Sequence, residues 1–262
     1  MKVNLFFCGD SYTWGEELQG PEQNHARREK ERFSNLVAER LGKTYVNISC
    51  SGTSNDWIVK KTIEWFEEGN TCDVAIIQFS QEKRWLWYDK SGQTHHMPAK
   101  WMERDSYLYA NDGKEQAQKA YMSHVAVNDQ FSIDNYWKNM FMIRNYLKDK
   151  CKVIHLNLGD APRDRRYRKP EVRNVWYSLV GHDIEIIELK NILKLPVETR
   201  ISQENRGRWK WYNPNFTRDL KSEVLDNNLN KRFSGSHPSA RGHKIIAEKI
   251  FEQHPYLLQE CS

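Results

Sequence analysis

Nowhere does this chain offer the roughly 18 consecutive apolar residues that a membrane-spanning helix needs, and its mean hydropathy is -0.85. No membrane partner is expected. The first residues hold only Leu5-Phe6-Phe7 as a strongly apolar run, too short for the core of a signal peptide. A cytoplasmic protein, or one released by lysis, is the expectation. Cysteine is scarce, five in 262 residues, an odd number with no Cys-x-x-Cys pair. That excludes a disulfide-stapled scaffold and a zinc ribbon, and points to reduced core thiols. His95-His96, His124 and His155 have no carboxylates at metal-ligand spacing, so no metal is expected. Neither a phosphate-cradling P-loop nor a Gly-x-Gly-x-x-Gly turn occurs, and no cofactor is expected. The charge excess is small, 40 basic against 35 acidic residues for a net +5. Nucleic acid is therefore a weakly supported partner.

Tryptophan is abundant instead, with ten in the chain. Trp85, Trp87, Trp101, Trp137, Trp209 and Trp211 fall in middle and late segments, often beside Arg, Lys or Tyr. Aromatics in polar surroundings can stack on sugar rings or bases. Covering the core of a very polar protein explains them equally well.

Strand and helix patterns alternate. Strands are expected at 2–8, 44–49, 73–79, 152–158 and 183–189. The runs Val74-Ala75-Ile76-Ile77 and Val153-Ile154-His155-Leu156 are continuously apolar or nearly so, as in buried parallel strands. Helical spacing runs over 33–41 and stops at Gly42, and a second helix at 56–68 has Ser54 or Asn55 as its cap. Further helices are expected at 134–148 and 243–253. This pattern predicts a single α/β domain over 1–262, with a doubly wound parallel sheet. Two stretches break the rhythm: an insertion at about 86–132, helical in its later half from Gly113 to Ser132, and a rim segment at about 195–231. Both follow strands, at the end of the sheet where such folds bind ligands.

The chemistry concentrates at both ends of the chain. Gly9-Asp10-Ser11 follows the first strand directly, which presents a serine hydroxyl at a turn whose backbone N–H groups can stabilise an oxyanion. Ser11 is the nucleophile candidate. Serine needs a base, and His237, extended before Pro238, stands in a loop before the last helix. Asp10 adjoins Ser11, points away from a histidine docked on the hydroxyl, and is assigned to hydrogen bonding in the turn. Asp10 also counts, with Arg84, Trp209 and Trp211, among the candidate substrate-binding residues.

These blocks resemble the SGNH/GDSL hydrolases, serine esterases and acyl hydrolases of flavodoxin-like fold. Their Gly-Asp-Ser block is matched at 9–11. A glycine after the second strand, followed by Ser-Asn, is matched by Gly52-Thr53-Ser54-Asn55, and the final His-Pro with a downstream Gly-His by His237-Pro238 and Gly242-His243. The resemblance covers residues 2 to about 253. It implies an acyl-ester hydrolase, with an oxyanion hole from the N–H groups of Ser11 and Gly52 and with Asn55 or Gln81 nearby. The expected substrate is a small-molecule or saccharide ester.

Two departures stand out. The family's third block, Gly-x-Asn-Asp, is here Phe79-Ser80-Gln81-Glu82, which leaves Gln81 as the only side-chain amide in it. Arg84, just beyond, can bind an anionic substrate or hold the loop. The family's aspartate three residues before the histidine is here Ser234. Three outcomes remain open. A Ser11–His237 dyad can be oriented by a backbone carbonyl or by Ser234. Another carboxylate, Asp226 or Asp160, can substitute. Or catalysis is weakened or lost, leaving a binding module for carbohydrate, nucleic acid or protein. Acyl transfer to an acceptor other than water is a further alternative.

Overall fold

The computed structural model describes residues 1–19, 23–82, 84–88, 94–98, 129–159, 179–180, 185–193, 201–205, 208–212 and 237–259. Five strands form one parallel sheet: β1 (Lys2–Cys8), β2 (Tyr45–Asn47), β3 (Thr71–Phe79), β6 (Lys152–Asn157) and β7 (Ile186–Glu188). Their spatial order is β2-β1-β3-β6-β7, the flavodoxin-like sequence in which the chain reverses direction beside β1. Register runs Phe6 opposite Val46 and Ala75, and Ile76 opposite Ile154.

Side chains on a strand alternate between faces, and each face here has its own core. Leu5, Phe7, Val74, Ile76, Ile154 and Leu156 pack beneath α3 (Phe33–Leu41) and α7 (Ala240–Gln253). Phe6, Cys8, Ala75 and Ile77 pack beneath α4 (Asn55–Glu67) and α5 (Asp129–Leu147). Burial on both faces explains why the strands read as continuous apolar runs. The Phe6 ring lies 4.5 Å from that of Trp65. Trp57, Trp65 and Trp137 are buried, so Trp137 belongs to the core and not to a ligand surface.

The expected α/β architecture is thus present, with differences at its edges. The second strand is shorter than 44–49. The last sheet strand ends at Glu188, because Leu189 begins a short helix, α6 (Leu189–Ile192), whose Lys190 N–H bonds back to Leu158 O. The helix before β6 starts at Asp129, not 134. A polar helix, α2 (His25–Glu31), was not expected. It lacks an apolar stripe; Asn24 caps it, and Arg28 stacks 3.9 Å from the centre of the Trp14 ring. Of the two interruptions, the structure describes antiparallel hairpins, β4 (Arg84–Tyr88) with β5 (Thr94–Pro98), and β8 (Ile201–Asn205) with β9 (Arg208–Tyr212). The remainder of those segments, including 113–128, lies outside the described residues. A short α8 (Tyr256–Gln259) follows α7. Among the described residues no helix is long and apolar enough to cross a membrane.

Candidate active site

The carboxyl end of β1 runs into Gly9 and then a four-residue helix, α1 (Ser11–Trp14). Asp10 caps it: its Oδ1 accepts the Tyr12 N–H at 3.0 Å, which holds the turn that carries Ser11. Gly9 is dictated by close approach. A Cβ there would lie 2.5 Å from Thr13 Oγ1 and 2.8 Å from Gln78 Cβ. Those atoms cannot easily retreat, because Gln78 Oε1 accepts from both Asp10 N–H (3.1 Å) and Thr13 Oγ1 (2.8 Å).

The second loop folds onto this turn. Cys50 N–H donates to Gly9 O at 3.2 Å, and Thr53 Oγ1 donates to Gly9 O and Cys50 O at 3.4 and 3.1 Å. Gly52 has φ +79 with nothing near its missing side chain. Its glycine therefore answers to backbone conformation, not to space. Asn47 ties the far side, its Nδ2 donating to Thr13 O and Ser34 Oγ.

The rewritten third block closes the arrangement from β3. Ser80 Oγ donates to Asp10 Oδ2 at 2.7 Å, and Arg84 Nη1 donates to the same oxygen at 3.0 Å. Arg84 also reaches Thr53 O at 3.5 Å. Asp10 is fully buried, with protein donors on both oxygens. This corrects its place among substrate-binding residues: no face of its carboxylate is open to a ligand, and its work is within the turn. Arg84 holds the loop. Asn55 exchanges bonds with Ser80, accepting its N–H at 2.7 Å and donating to its carbonyl at 3.3 Å. One Asn55 amide hydrogen is thus committed to the third block. Gln81 is exposed. Trp209 and Trp211 lie on β9, opposite Glu204 and Ser202. Asp160, Asp226 and Ser234 lie outside the described residues.

The base candidate, His237, arrives from the other end of the chain. The His237 ring meets that of Tyr12, the neighbour of Ser11, edge-on at 5.9 Å. Its Nδ1 lies 3.1 Å from Oε1 of Glu17, at ion-pair length although not in hydrogen-bond alignment. Sequence reasoning missed Glu17. It follows the Gly15 that ends α1, with φ +68, and nothing in a linear reading ties it to residue 237. Burial pushes the Tyr12 phenol well above its usual range, and the charges of Asp10 and Glu17 push the same way against Arg84. Tyr12 therefore stays neutral between the two carboxylates. His243, the downstream histidine, is a packing residue. It accepts the Phe33 N–H at 3.1 Å, stacks on the Phe33 ring, and is held near pKa 3 by burial, with the charges of His237 and Arg32 adding. Among the described residues no group of three or more His, Cys, Asp or Glu is placed to hold a metal ion.

The flavodoxin-like parallel sheet thus carries a capped serine turn at the end of β1, and a histidine from the last loop packs on the Tyr12 ring beside it. No protein-family model matches the chain, and no curated protein matches it in sequence. Solved structures to which it is similar include LAE5, an α/β hydrolase from the metagenome of Lake Arreo, at 13% identity, covering 97% of this chain and 96% of that one with a TM-score of 0.47. A variant of Axe2, an acetyl xylan esterase from Geobacillus stearothermophilus, matches at 14% identity, 96% and 94% coverage and a TM-score of 0.44. A proposed lipolytic protein of the G-D-S-L family from Desulfitobacterium hafniense matches at 11%, 94% and 95%, and 0.41.

Proposed function

We propose that this protein is a serine-dependent acyl-ester hydrolase. The observation that carries the reading is that His237 is packed on Tyr12, one residue from Ser11, across 226 residues of sequence separation (237 minus 11). In this reading His237 takes the Ser11 proton as Oγ attacks the ester carbonyl. The tetrahedral oxyanion is held by the N–H groups of Ser11 and Gly52, with the second Asn55 amide hydrogen or Gln81 in support. His237 then returns the proton to the leaving alcohol. Water, deprotonated by the same imidazole, releases the acyl group from Ser11. The chemistry uses no metal or cofactor.

The proposed substrate carries its acyl group on a polar, sugar-like alcohol. The support is the aromatic and basic character of the segments that interrupt the strand and helix pattern, including Arg208, Trp209, Lys210 and Trp211 on β9. A cytoplasmic setting is supported by the free thiols of Cys8, Cys50, Cys72 and Cys151.

A fluorophosphonate probe and p-nitrophenyl acetate test the reading, with Ser11→Ala and His237→Ala beside the wild type. Labelling and turnover that vanish in both variants are expected. A wild type that neither labels nor hydrolyses sinks the hydrolase reading and favours a binding module. Labelling without hydrolysis moves the assignment to acyl transfer.

A further inference from the structure

The base of this site lacks the carboxylate expected three residues before it, since Ser234 stands there. We propose that Glu17 takes that place: it is the positioning residue that fixes His237, supplied from the serine's own turn. The proposal rests on the Ser11–His237 reading and adds the third partner to it.

Three observations converge. The first is geometric. Glu17 Oε1 is 3.1 Å from His237 Nδ1. If Nε2 serves the serine, Nδ1 must carry the other proton, and a carboxylate beside Nδ1 selects that tautomer and stabilises the imidazolium formed during attack. The second is conformational. Glu17 has φ +68, one of only two described non-glycine residues at positive φ, the other being Gln23. A residue with a long, bulky side chain is a poor occupant of that region. Such strain persists where the surroundings over-determine it, and it gathers at functional sites. The third is connectivity. Gly15 N–H and Glu16 N–H both bond to Ser11 O (3.1 and 2.9 Å), and Leu18 N–H bonds to Gly15 O (3.3 Å). Leu18 is buried. The backbone before Glu17 is thus tied to the Ser11 carbonyl, and the backbone after it to Gly15. The side chains of Glu17 and His237 are only 27% and 21% exposed, so water competes weakly for the contact. Among the described residues, the Tyr12 ring packs on this histidine and His243 lies within electrostatic reach of it. Tyr12 stays neutral by burial, and His243 stays neutral too.

The experiment compares Glu17→Gln, Glu17→Asp and Glu17→Gly with wild type, and uses Glu31→Gln on the outer helix α2 as the control. The readouts are fluorophosphonate labelling rate, kcat and KM on p-nitrophenyl acetate, and Tm. Glu17→Gln should lower kcat and labelling by about 10²–10⁴-fold while KM stays within about twofold. Glu17→Asp should recover part of that loss. Glu17→Gly should lose as much activity as Glu17→Gln yet melt a few degrees higher, about the gain expected from relieving a left-handed residue. Glu31→Gln should match wild type. A Glu17→Gln enzyme within about threefold of wild type in kcat overturns the proposal, as does an activity loss that merely tracks a fall in Tm. In either case a wild type that labels leaves the Ser11–His237 reading intact. A wild type that neither labels nor turns over removes both.

Discussion

Arg84→Ala should destabilise this protein far more than the loss of an ordinary surface ion pair. Arg84 Nη1 donates to Asp10 Oδ2 at 3.0 Å, and the two side chains are 17% and 0% exposed. The Asp10 carboxylate has three protein donors: Tyr12 N–H, Ser80 Oγ and Arg84. Removing the arginine leaves a buried negative charge with two neutral donors and no counter-charge. Breaking a buried pair from one side typically costs 3–5 kcal/mol, and the partial exposure of Arg84 argues for the lower end, about 3 kcal/mol. For a chain of this size that corresponds to a fall in Tm of about 6–12 °C. Circular dichroism melts and urea titrations at neutral pH measure it directly. Because the carboxylate is buried, raising the salt to about 0.5 M should leave most of the difference in place, whereas a surface pair is screened. A double-mutant cycle with Asp10→Asn isolates the pair itself and should show coupling of at least about 1 kcal/mol. A loss below about 1 kcal/mol, the range of exposed pairs, refutes the reasoning. If Arg84→Ala instead raises KM and leaves Tm unmoved, the arginine is a substrate anchor and not a brace for the loop.

Two buried histidines make stability depend on pH above the carboxylate range. Burial, followed by repulsion from Arg144, holds His155 near pKa 4, and His243 lies near 3, against an ordinary 6.5. Below pH 6.5 the unfolded chain binds protons that the folded chain refuses, so stability falls with pH, by up to about 1.4 kcal/mol per unit for each histidine. The urea midpoint should therefore drop between pH 7 and 5, and a flat profile there contradicts the burial argument. Gly9→Ala should cost about 1–3 kcal/mol through overlap with Thr13 and Gln78 and should lower activity with it. Gly52→Ala meets no neighbour, so its penalty is the left-handed backbone alone, about 1–2 kcal/mol. Equal melting temperatures for Gly9→Ala and wild type would show that the Thr13–Gln78 contact yields.

The sheet was legible because its strands are buried on both faces, so apolar runs such as Val74–Ile77 announce themselves without help from tertiary structure. The helices α3, α4 and α7 were legible for a related reason: each shows one apolar stripe to one core. α2 has no stripe. It forms because Asn24 caps it and Arg28 finds the Trp14 ring, and neither relation can be seen before the fold exists. Gly9 and Ser11 could be singled out from a strand that ends in a turn. The partners of Asp10 could not, since Ser80 and Arg84 lie 70 and 74 residues away in sequence. Glu17 was the hardest to see. Two consecutive acids after a glycine look like a solvated helix end. Only a histidine delivered from residue 237 gives one of them a purpose. The local signal that existed, a bulky residue in a tight turn two positions after Gly15, becomes informative once its positive φ is known.

The placement of Glu17 changes what must stay fixed for the site to work. When the orienting acid stands three residues before the base, acid and base travel together, and their alignment on the serine depends on one loop docking correctly. In the proposed site the stretch from Gly9 to Glu17 holds both the nucleophile and the acid. It is braced from β3 and the loop after it through Gln78 and Ser80, from β4 through Arg84, and from β2 through Asn47. The His237 imidazole, from the far end of the chain, meets both Tyr12 and Glu17. The strain at Glu17 then fits its position. A glycine would relax the turn but would offer Nδ1 nothing, so the unfavourable φ is tolerated for the carboxylate that it carries. The expected consequence is asymmetric. Substitutions within 9–17 should damage kcat even when His237 still docks, whereas substitutions that loosen the loop before His237 should lower the fraction of competent molecules and leave the chemistry of the remainder unchanged. Active-site titration with the fluorophosphonate separates the two: the first class labels slowly to full stoichiometry, and the second labels at the normal rate to a reduced one. Slow, complete labelling by loop variants would place the orienting carboxylate on the histidine's side after all.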